Sequence, residues 1–295
     1  MSTGEGGVPA VDVASAAVAA PGRVAVWLVR LPDGGLGDEA VRALADAVDD
    51  DTRRRAAALV RQSDRESTLA AHALLRGLIA PLVGRAPHDI AVVRSCRICG
   101  STDHGKPSFG PDAPAQFNLA HSGRLVAVAL AHPATPVGVD VELDSDATHW
   151  DALRPDVFSD REWSTDAADS EPARARTRAW ARKEAVVKTT GHGLALPLRR
   201  VLPVVGRADR TGQRSWTCEL SVDDGRGIRQ RVVRGWDLPP ATTGRGYLAA
   251  VGFDGDTGDD DPIGRLTVTS LLLARDGRLT AKTNPPDMVW RHGSP

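Results

Sequence analysis

The sequence predicts an α+β protein of two pseudo-symmetric lobes, each a small antiparallel sheet packed on helices, with a site where the lobes meet. Both halves of the 295-residue chain run through one plan of helical and strand-like patterning, and 41% apolar content is enough for packed cores. Such a plan builds two layered units with a crevice between them. Helix-start and helix-stop residues stand where the patterning changes, and the second half ends in short runs that read as antiparallel strands.

Residues 1–22 are rich in Ala and Val but lack the basic start and Leu-rich run of a signal peptide, so a flexible tail is expected. The N-terminal lobe, residues 23–136, opens with the β-like run Val24-Ala25-Val26-Trp27-Leu28-Val29. Helical patterning follows over 38–60. It includes the cluster Arg53, Arg54 and Arg55, whose ordinary reading is a solvated helix face. Ser63 with Glu66 has the form of a capping box, starting a helix that Leu69, Leu74, Leu75, Leu78 and Ile79 continue to a break at Pro81. Ile90-Ala91-Val92-Val93 reads as a strand and 95–107 as a loop. The apolar run 125–131 is a further strand, and the turn His132-Pro133-Ala134-Thr135-Pro136 folds 137–143 back on it as a hairpin.

In the C-terminal lobe, residues 137–254, Ser159 with Glu162 forms a second capping box. A long helix over 172–190 is closed by Gly191 and Gly193, as helix C-termini commonly are. Strands are expected over 201–205, 215–222, 231–236 and 247–251. Residues 255–295 form a linker, acidic and Gly-rich over 255–261, and a C-terminal extension with strand-like pieces of unassigned role.

The net charge of −1 gives no basic excess for nucleic acid or a membrane surface, and no apolar run approaches a transmembrane span. Three cysteines cannot make a disulfide framework, so a reducing, cytoplasmic setting is expected.

Chemistry concentrates between residues 138 and 188. In Gly138-Val139-Asp140-Val141-Glu142-Leu143 apolar and acidic residues alternate, so a strand sets Asp140 and Glu142 on one face. On the long helix Trp180, Glu184 and Lys188 share a row at i, i+4 and i+8. If the row faces the strand, three carboxylates converge beside one lysine, a hard-cation site with a proton-transfer group next to it. Each piece alone has an ordinary reading: a solvent-facing strand, a surface i,i+4 ion pair, and Trp180 and Trp163 as packing residues. Separately, Cys96-x-x-Cys99 with His104 has the spacing of part of a zinc site. The sequence offers no evident fourth ligand, and the alternative is a loop that only positions Lys106.

Several ordered blocks resemble the 4′-phosphopantetheinyl transferases of the large, monomeric, surfactin-type class. They are Gly105-Lys106-Pro107, Phe117-Asn118-x-x-His121-Ser122, Gly138-x-Asp140-x-Glu142, and Trp180-x-x-Lys183-Glu184-Ala185-x-x-Lys188-x-x-Gly191-x-Gly193-Leu194. The resemblance spans about 50–255, and order with spacing is more specific than any one motif. It implies Mg²⁺-dependent transfer of phosphopantetheine from coenzyme A to a serine of an apo acyl or peptidyl carrier protein. The leaving group would be 3′,5′-ADP, the enzyme a monomer, and the setting polyketide or nonribosomal peptide synthesis. It implies Asp140, Glu142 and Glu184 as metal ligands, Glu184 as the base and Lys188 on the departing phosphate. Lys106 and His121 would bind coenzyme A phosphates, with Arg55 on the 3′-phosphate and Thr68 on the adenosine side. Ala120 replaces the usual serine before the motif histidine, which removes one hydroxyl and predicts weaker coenzyme A binding. Two other readings remain: an inert module that binds carrier domains, and an unrelated Mg²⁺-dependent hydrolase of nucleotide pyrophosphates.

Overall fold

The computed structural model describes residues 10–96, 98–145, 148–208, 214–223, 227–254, 266–281 and 288–290. The N-terminal lobe begins with helix α1 (Ala10–Ala19) and strand β1 (Val24–Arg30), followed by α2 (Asp38–Asp46), α3 (Asp50–Ala58) and the long α4 (Gln62–Val83). A small ribbon of β2 (Val93–Ser95) and β3 (Lys106–Ser108) leads into β4 (Gln116–Ser122) and β5 (Leu125–Ala131). The C-terminal lobe runs β6 (Val137–Leu143), α5 (Trp150–Val157), α6 (Asp160–Ala167), α7 (Pro172–Thr190), β7 (Val204–Ala208), β8 (Arg214–Asp223), β9 (Ile228–Asp237), α8 (Pro240–Thr243) and β10 (Tyr247–Asp254). Three further strands, β11 (Leu266–Leu273), β12 (Leu279–Ala281) and β13 (Met288–Trp290), follow.

Two sheets result. One has the order β12-β11-β1-β5-β4 with β13 also on β11, and the other the order β6-β10-β9-β8-β7. All neighbours are antiparallel except β1 and β11, which run parallel from Val24↔Leu266 to Arg30↔Leu272. The C-terminal extension thus returns to the first lobe's sheet. This explains why β1 is apolar on both faces: it is a central strand.

Alternation along each strand sets the layers. Ala25, Trp27 and Val29 of β1, with Val126, Val128 and Leu130 of β5, pack on α4 through Ala71, Leu75, Leu78 and Ile79. The opposite faces, with Val24, Val26, Leu28, Ala127 and Ala129, meet Val139, Val141, Ala249, Val251 and Phe253 of the second sheet. On that sheet's far side Ala250 packs with Ala181, Ala185 and Val186 of α7. The order is helix, sheet, sheet, helix, and the apolar sheet-to-sheet seam joins the lobes.

Several expectations change. Part of the presumed tail is helix α1, with Ala14 and Ala17 buried in the first core. The stretch 38–60 is two helices, because Asp49 accepts from the Thr52 backbone N–H at 2.8 Å and starts α3 there. Ser63 and Glu66 form no capping box. α4 starts at Gln62, and the buried Glu66 carboxylate instead takes Arg124 Nη2 at 2.7 Å and the Leu36 N–H at 3.2 Å. Pro81 does not end α4 but sits in its last turn, where few further helical bonds depend on it; Gly84 closes the helix at φ +64°. The strand expected at 90–93 lies at β2 instead. Most consequentially, β5 and β6 are not a hairpin. β5 pairs with β1 and β4 while β6 pairs with β10, so the turn at 132–136 carries the chain from one sheet to the other. Both strands are buried on two sides, and an apolar strand pattern does not say whether its neighbour lies beside it or across a seam. The acidic linker over 255–261 lies outside the described residues. The second capping box, α7 and its Gly191 stop agree with the sequence reading.

Gly138 sets how close α7 lies to β6. A Cβ there would fall 2.3 Å from the Ala185 carbonyl oxygen and 2.4 Å from the Thr189 nitrogen, both backbone atoms that cannot swing aside. Gly138→Ala is expected to destabilise the protein by about 1–3 kcal/mol, read as a lower urea midpoint with unchanged slope. An unchanged midpoint would mean that the helix tolerates a wider gap.

Candidate active site

With the valines of β6 in the inter-sheet seam, alternation turns Asp140 and Glu142 toward α7. Trp180, Glu184 and Lys188 present their row to them. Lys188 Nζ lies 2.5 Å from Asp140 Oδ1. Trp180 Nε1 donates to Glu142 Oε1 at 2.7 Å and Ser122 Oγ to Glu142 Oε2 at 3.3 Å, so Glu142 is pinned from both lobes. Among the described residues Glu184 makes no side-chain hydrogen bond, and its charge is felt by Lys188 and Asp140.

Burial shapes the ionisation of this group. It pushes the wholly buried Asp140 up to about 7, against the pull of Lys188 and with a further push from Glu142 and Glu184. Burial likewise raises Glu142, against the Trp180 hydrogen bond, and Glu184, against the Lys188 charge. For Lys188 burial acts downward, yet Asp140, Glu184 and Glu142 outweigh it and hold the ammonium above its usual range. A cluster this acidic and this buried favours a bound cation.

Whether the residues suit a divalent ion is tested by Asp140 Oδ2, which is buried and has no hydrogen-bond partner among the described residues. A buried carboxylate oxygen without a donor is costly unless something positive meets it. The donors are all carboxylate oxygens, as a hard cation such as Mg²⁺ requires. The three acids are not drawn as tightly together as the sulfur and nitrogen atoms of Cys96, Cys99 and His104, which lie within 4.8 Å of one another. Lys188 is seated on Asp140.

Beside Lys188 opens a cleft of about 700 Å³ between the lobes, lined among others by Thr68, His72, Arg94, Lys106, Asn118, His121, Lys188 and Gly191. Of the residues singled out in the sequence, it brings together Thr68 from α4, Lys106 from β3, His121 from β4 and Lys188 from α7. Lys106 Nζ bridges the lobes, donating to the Val137 carbonyl at 2.7 Å and the Thr189 carbonyl at 3.3 Å. Gly105 makes the turn that delivers it: φ is +109°, and a Cβ would lie 2.4 Å from the Ser95 carbonyl oxygen. Burial lowers the His121 pKa, with Asp64 opposing and Lys188 adding to the shift.

Other expectations fall outside the cleft. Arg55 is held on its own helix by Asp51 at 2.7 Å, reaches the Asp103 carbonyl at 3.5 Å, and does not line the cleft. Ala120 faces β6 between Asn118 and Ser122, so its missing hydroxyl is missing from the sheet-to-sheet seam and not from the cleft wall. Lys183 points away from the acids. It is fully buried against Glu162 and the carbonyls of Leu198 and Val201. The α7 arginines are largely engaged: Arg174 with Asp144, Arg182 with Asp237, and Arg176 over Trp163.

Sequence reasoning missed Arg94, a half-buried cation in the cleft that donates to the Gly105 carbonyl at 3.3 Å. It also missed Asn118, whose buried Oδ1 accepts from the Val139 N–H at 2.9 Å and ties the two sheets beside the acids. The Asn within the Phe117-Asn118 block was the available signal. His72 also lines the cleft. Burial, with the Arg76 charge added, depresses its pKa to about 3, and its Nδ1 lies 3.1 Å from Arg76 Nη1. A depressed histidine stabilises the fold above its unfolded pKa near 6.5 and loses that contribution as pH falls toward 3. His72→Gln is therefore expected to flatten the fall in stability across that window, where one group contributes at most about 1.4 kcal/mol per pH unit. Parallel stability-against-pH curves for the two proteins would refute the assignment.

Residues 136–229, which hold β6, α7 and all three acids, match the model of the 4′-phosphopantetheinyl transferase superfamily. Among curated proteins it is similar to the 4′-phosphopantetheinyl transferase AcpT of Salmonella typhimurium, 38% identical over 30% of this chain and 47% of that protein. It is similar to AcpT of Escherichia coli K12, 36% identical over 43% of this chain and 58% of that protein. The 4′-phosphopantetheinyl transferase Sfp of Bacillus subtilis is 28% identical over 56% of this chain and 70% of its own length. The chain thus spans about half the length of the AcpT relatives. Among the described residues no helix is long and apolar enough to cross a membrane.

Proposed function

We propose that this chain transfers the phosphopantetheine arm of coenzyme A to a serine hydroxyl of an apo acyl or peptidyl carrier protein. The observation that carries the reading is the junction of the acid cluster and the inter-lobe cleft at Lys188. That residue lines the cleft and is bonded to Asp140.

The chemistry asks for few groups. The serine oxygen bonds to the phosphorus that carries the pantetheine arm, and the bond from that phosphorus to the bridging oxygen breaks. The released fragment is 3′,5′-ADP. Asp140, Glu142 and Glu184 would hold a divalent ion, taken as Mg²⁺, which would supply charge neutralisation for the diphosphate and polarisation of the reacting phosphorus. Glu184 takes the serine proton: it has no competing hydrogen bond among the described residues, and burial makes it a stronger base than an exposed glutamate. Lys188, held protonated by its acidic neighbours, donates to the departing phosphate oxygen. Thr68, Lys106 and His121 bind the nucleotide end in the cleft, and Arg94 adds a cation there. Arg55, which does not line the cleft and reaches the Asp103 carbonyl, would have to leave its Asp51 partner to meet the 3′-phosphate. The pathway expected is polyketide or nonribosomal peptide synthesis, and the protein is expected to act as a cytoplasmic monomer.

The test is to incubate the protein with coenzyme A, Mg²⁺ and a panel of apo carrier domains, and to weigh the carriers intact. A gain of one phosphopantetheine on at least one of them, dependent on Mg²⁺, is expected. Tight carrier binding with no mass gain would make the protein an inert binding module. Release of phosphopantetheine to water without any carrier would make it a hydrolase.

A further inference from the structure

The ribbon of β2 and β3 has two strands of three residues that pair with each other alone. A two-stranded ribbon of that size is marginal in water. Burial does not secure it, since Val93 and Ile98 are about half exposed, at 47% and 56%. Even so, it carries Gly105 and Lys106 into the cleft.

At its tip Cys96, Cys99 and His104 place one ligand atom each within 4.8 Å of one another, with Cys99 Sγ 3.3 Å from His104 Nε2. Backbone hydrogen bonds link the described residues around them. Gly100 donates to the Cys96 carbonyl at 2.9 Å, Cys96 donates to the Ser101 carbonyl at 2.9 Å, and Gly100 takes φ +71°. Cys96, Cys99 and His104 all line the cleft, and both cysteines are free thiols.

We propose that Cys96, Cys99 and His104 bind one zinc ion that staples this hairpin. Two thiolates and an imidazole select a borderline-soft metal over Mg²⁺ or Ca²⁺. Binding releases the two thiol protons to solvent, and the metal's attraction closes a loop that apolar contacts leave loose. Among the described residues no fourth histidine, cysteine or carboxylate joins the set. Cys218, the remaining cysteine, is buried in the C-terminal lobe's core. Water completes the coordination on the cleft side. The proposal stands whether or not the chain is a transferase.

The test uses the full chain, supplied with zinc during expression and freed of loosely held metal. Elemental analysis is expected to find one zinc per chain. Replacement by Co²⁺ should give a thiolate-to-cobalt charge-transfer band. Cys99→Ser should lose both the zinc and the band while keeping the circular dichroism of the parent, and His104→Gln should retain less zinc through dialysis. Chelation should open the parent to proteolysis between residues 96 and 105, and added zinc should close it again. A zinc-free parent protein with the same cleavage pattern with and without chelator would overturn the proposal. So would a Cys96–Cys99 disulfide that persists under reducing, zinc-replete conditions.

Discussion

Glu184→Gln is expected to fold as the parent does and to modify carrier protein about 10²–10⁴-fold more slowly, the range a positioned general base contributes. The amide keeps the shape of the side chain but cannot take the serine proton. It also removes one negative charge from the group that holds Lys188 protonated. Coenzyme A binding should fall far less than turnover, because the cleft residues Thr68, Lys106 and His121 are untouched. Single-turnover mass spectrometry of the carrier separates the two quantities. A rate within a few-fold of the parent's would remove Glu184 from the proton-transfer role and leave it, at most, a metal ligand.

The second large effect concerns stability. Lys183 sits one residue from Glu184 yet is fully buried, with its ammonium 3.0 Å from Glu162 Oε2, 3.0 Å from the Leu198 carbonyl and 2.7 Å from the Val201 carbonyl. Lys183→Ala removes the cation from Glu162, leaving it only its Ser159 donors, and unpairs two carbonyls at once. Breaking one side of such a buried pair costs about 3–5 kcal/mol. Glu162 also closes the capping box with Ser159, so α6 should loosen with it. Chemical denaturation should show the loss, and Lys183→Arg, which keeps the charge but not the fit, should recover only part of it. A Lys183→Ala protein as stable as the parent would mean that Glu162 finds other partners.

The contrast between Lys183 and Glu184 shows what the sequence could and could not tell. Helical spacing places Trp180, Glu184 and Lys188 on one face and Lys183 off it, and the structure agrees, with Lys183 on the buried side of α7. Strand alternation places Asp140 and Glu142 together, which the burial of Val139 and Val141 on the other face bears out. Local periodicity was therefore legible. Long-range partnership was not: β5 and β6 looked like a hairpin and belong to different sheets, and β11 pairs with β1 from more than 200 residues away. Nothing in the pattern of an apolar strand names its neighbour. Glu66 failed for a related reason, because a Ser-x-x-Glu spacing is the same whether the glutamate caps its helix or braces Arg124 across the lobe. Asn118 and Arg94 stayed hidden since single polar residues acquire meaning only when another element reaches them.

The central claim is that Asp140, Glu142 and Glu184 hold a single divalent ion against the diphosphate of coenzyme A. Mn²⁺ bound to the protein with coenzyme A present reports on this directly through its electron spin resonance. The account predicts one Mn²⁺ per chain with phosphorus hyperfine coupling from the diphosphate, and loss of both in Asp140→Asn. Mn²⁺ bound without phosphorus coupling, or coupling unchanged by that substitution, would contradict it.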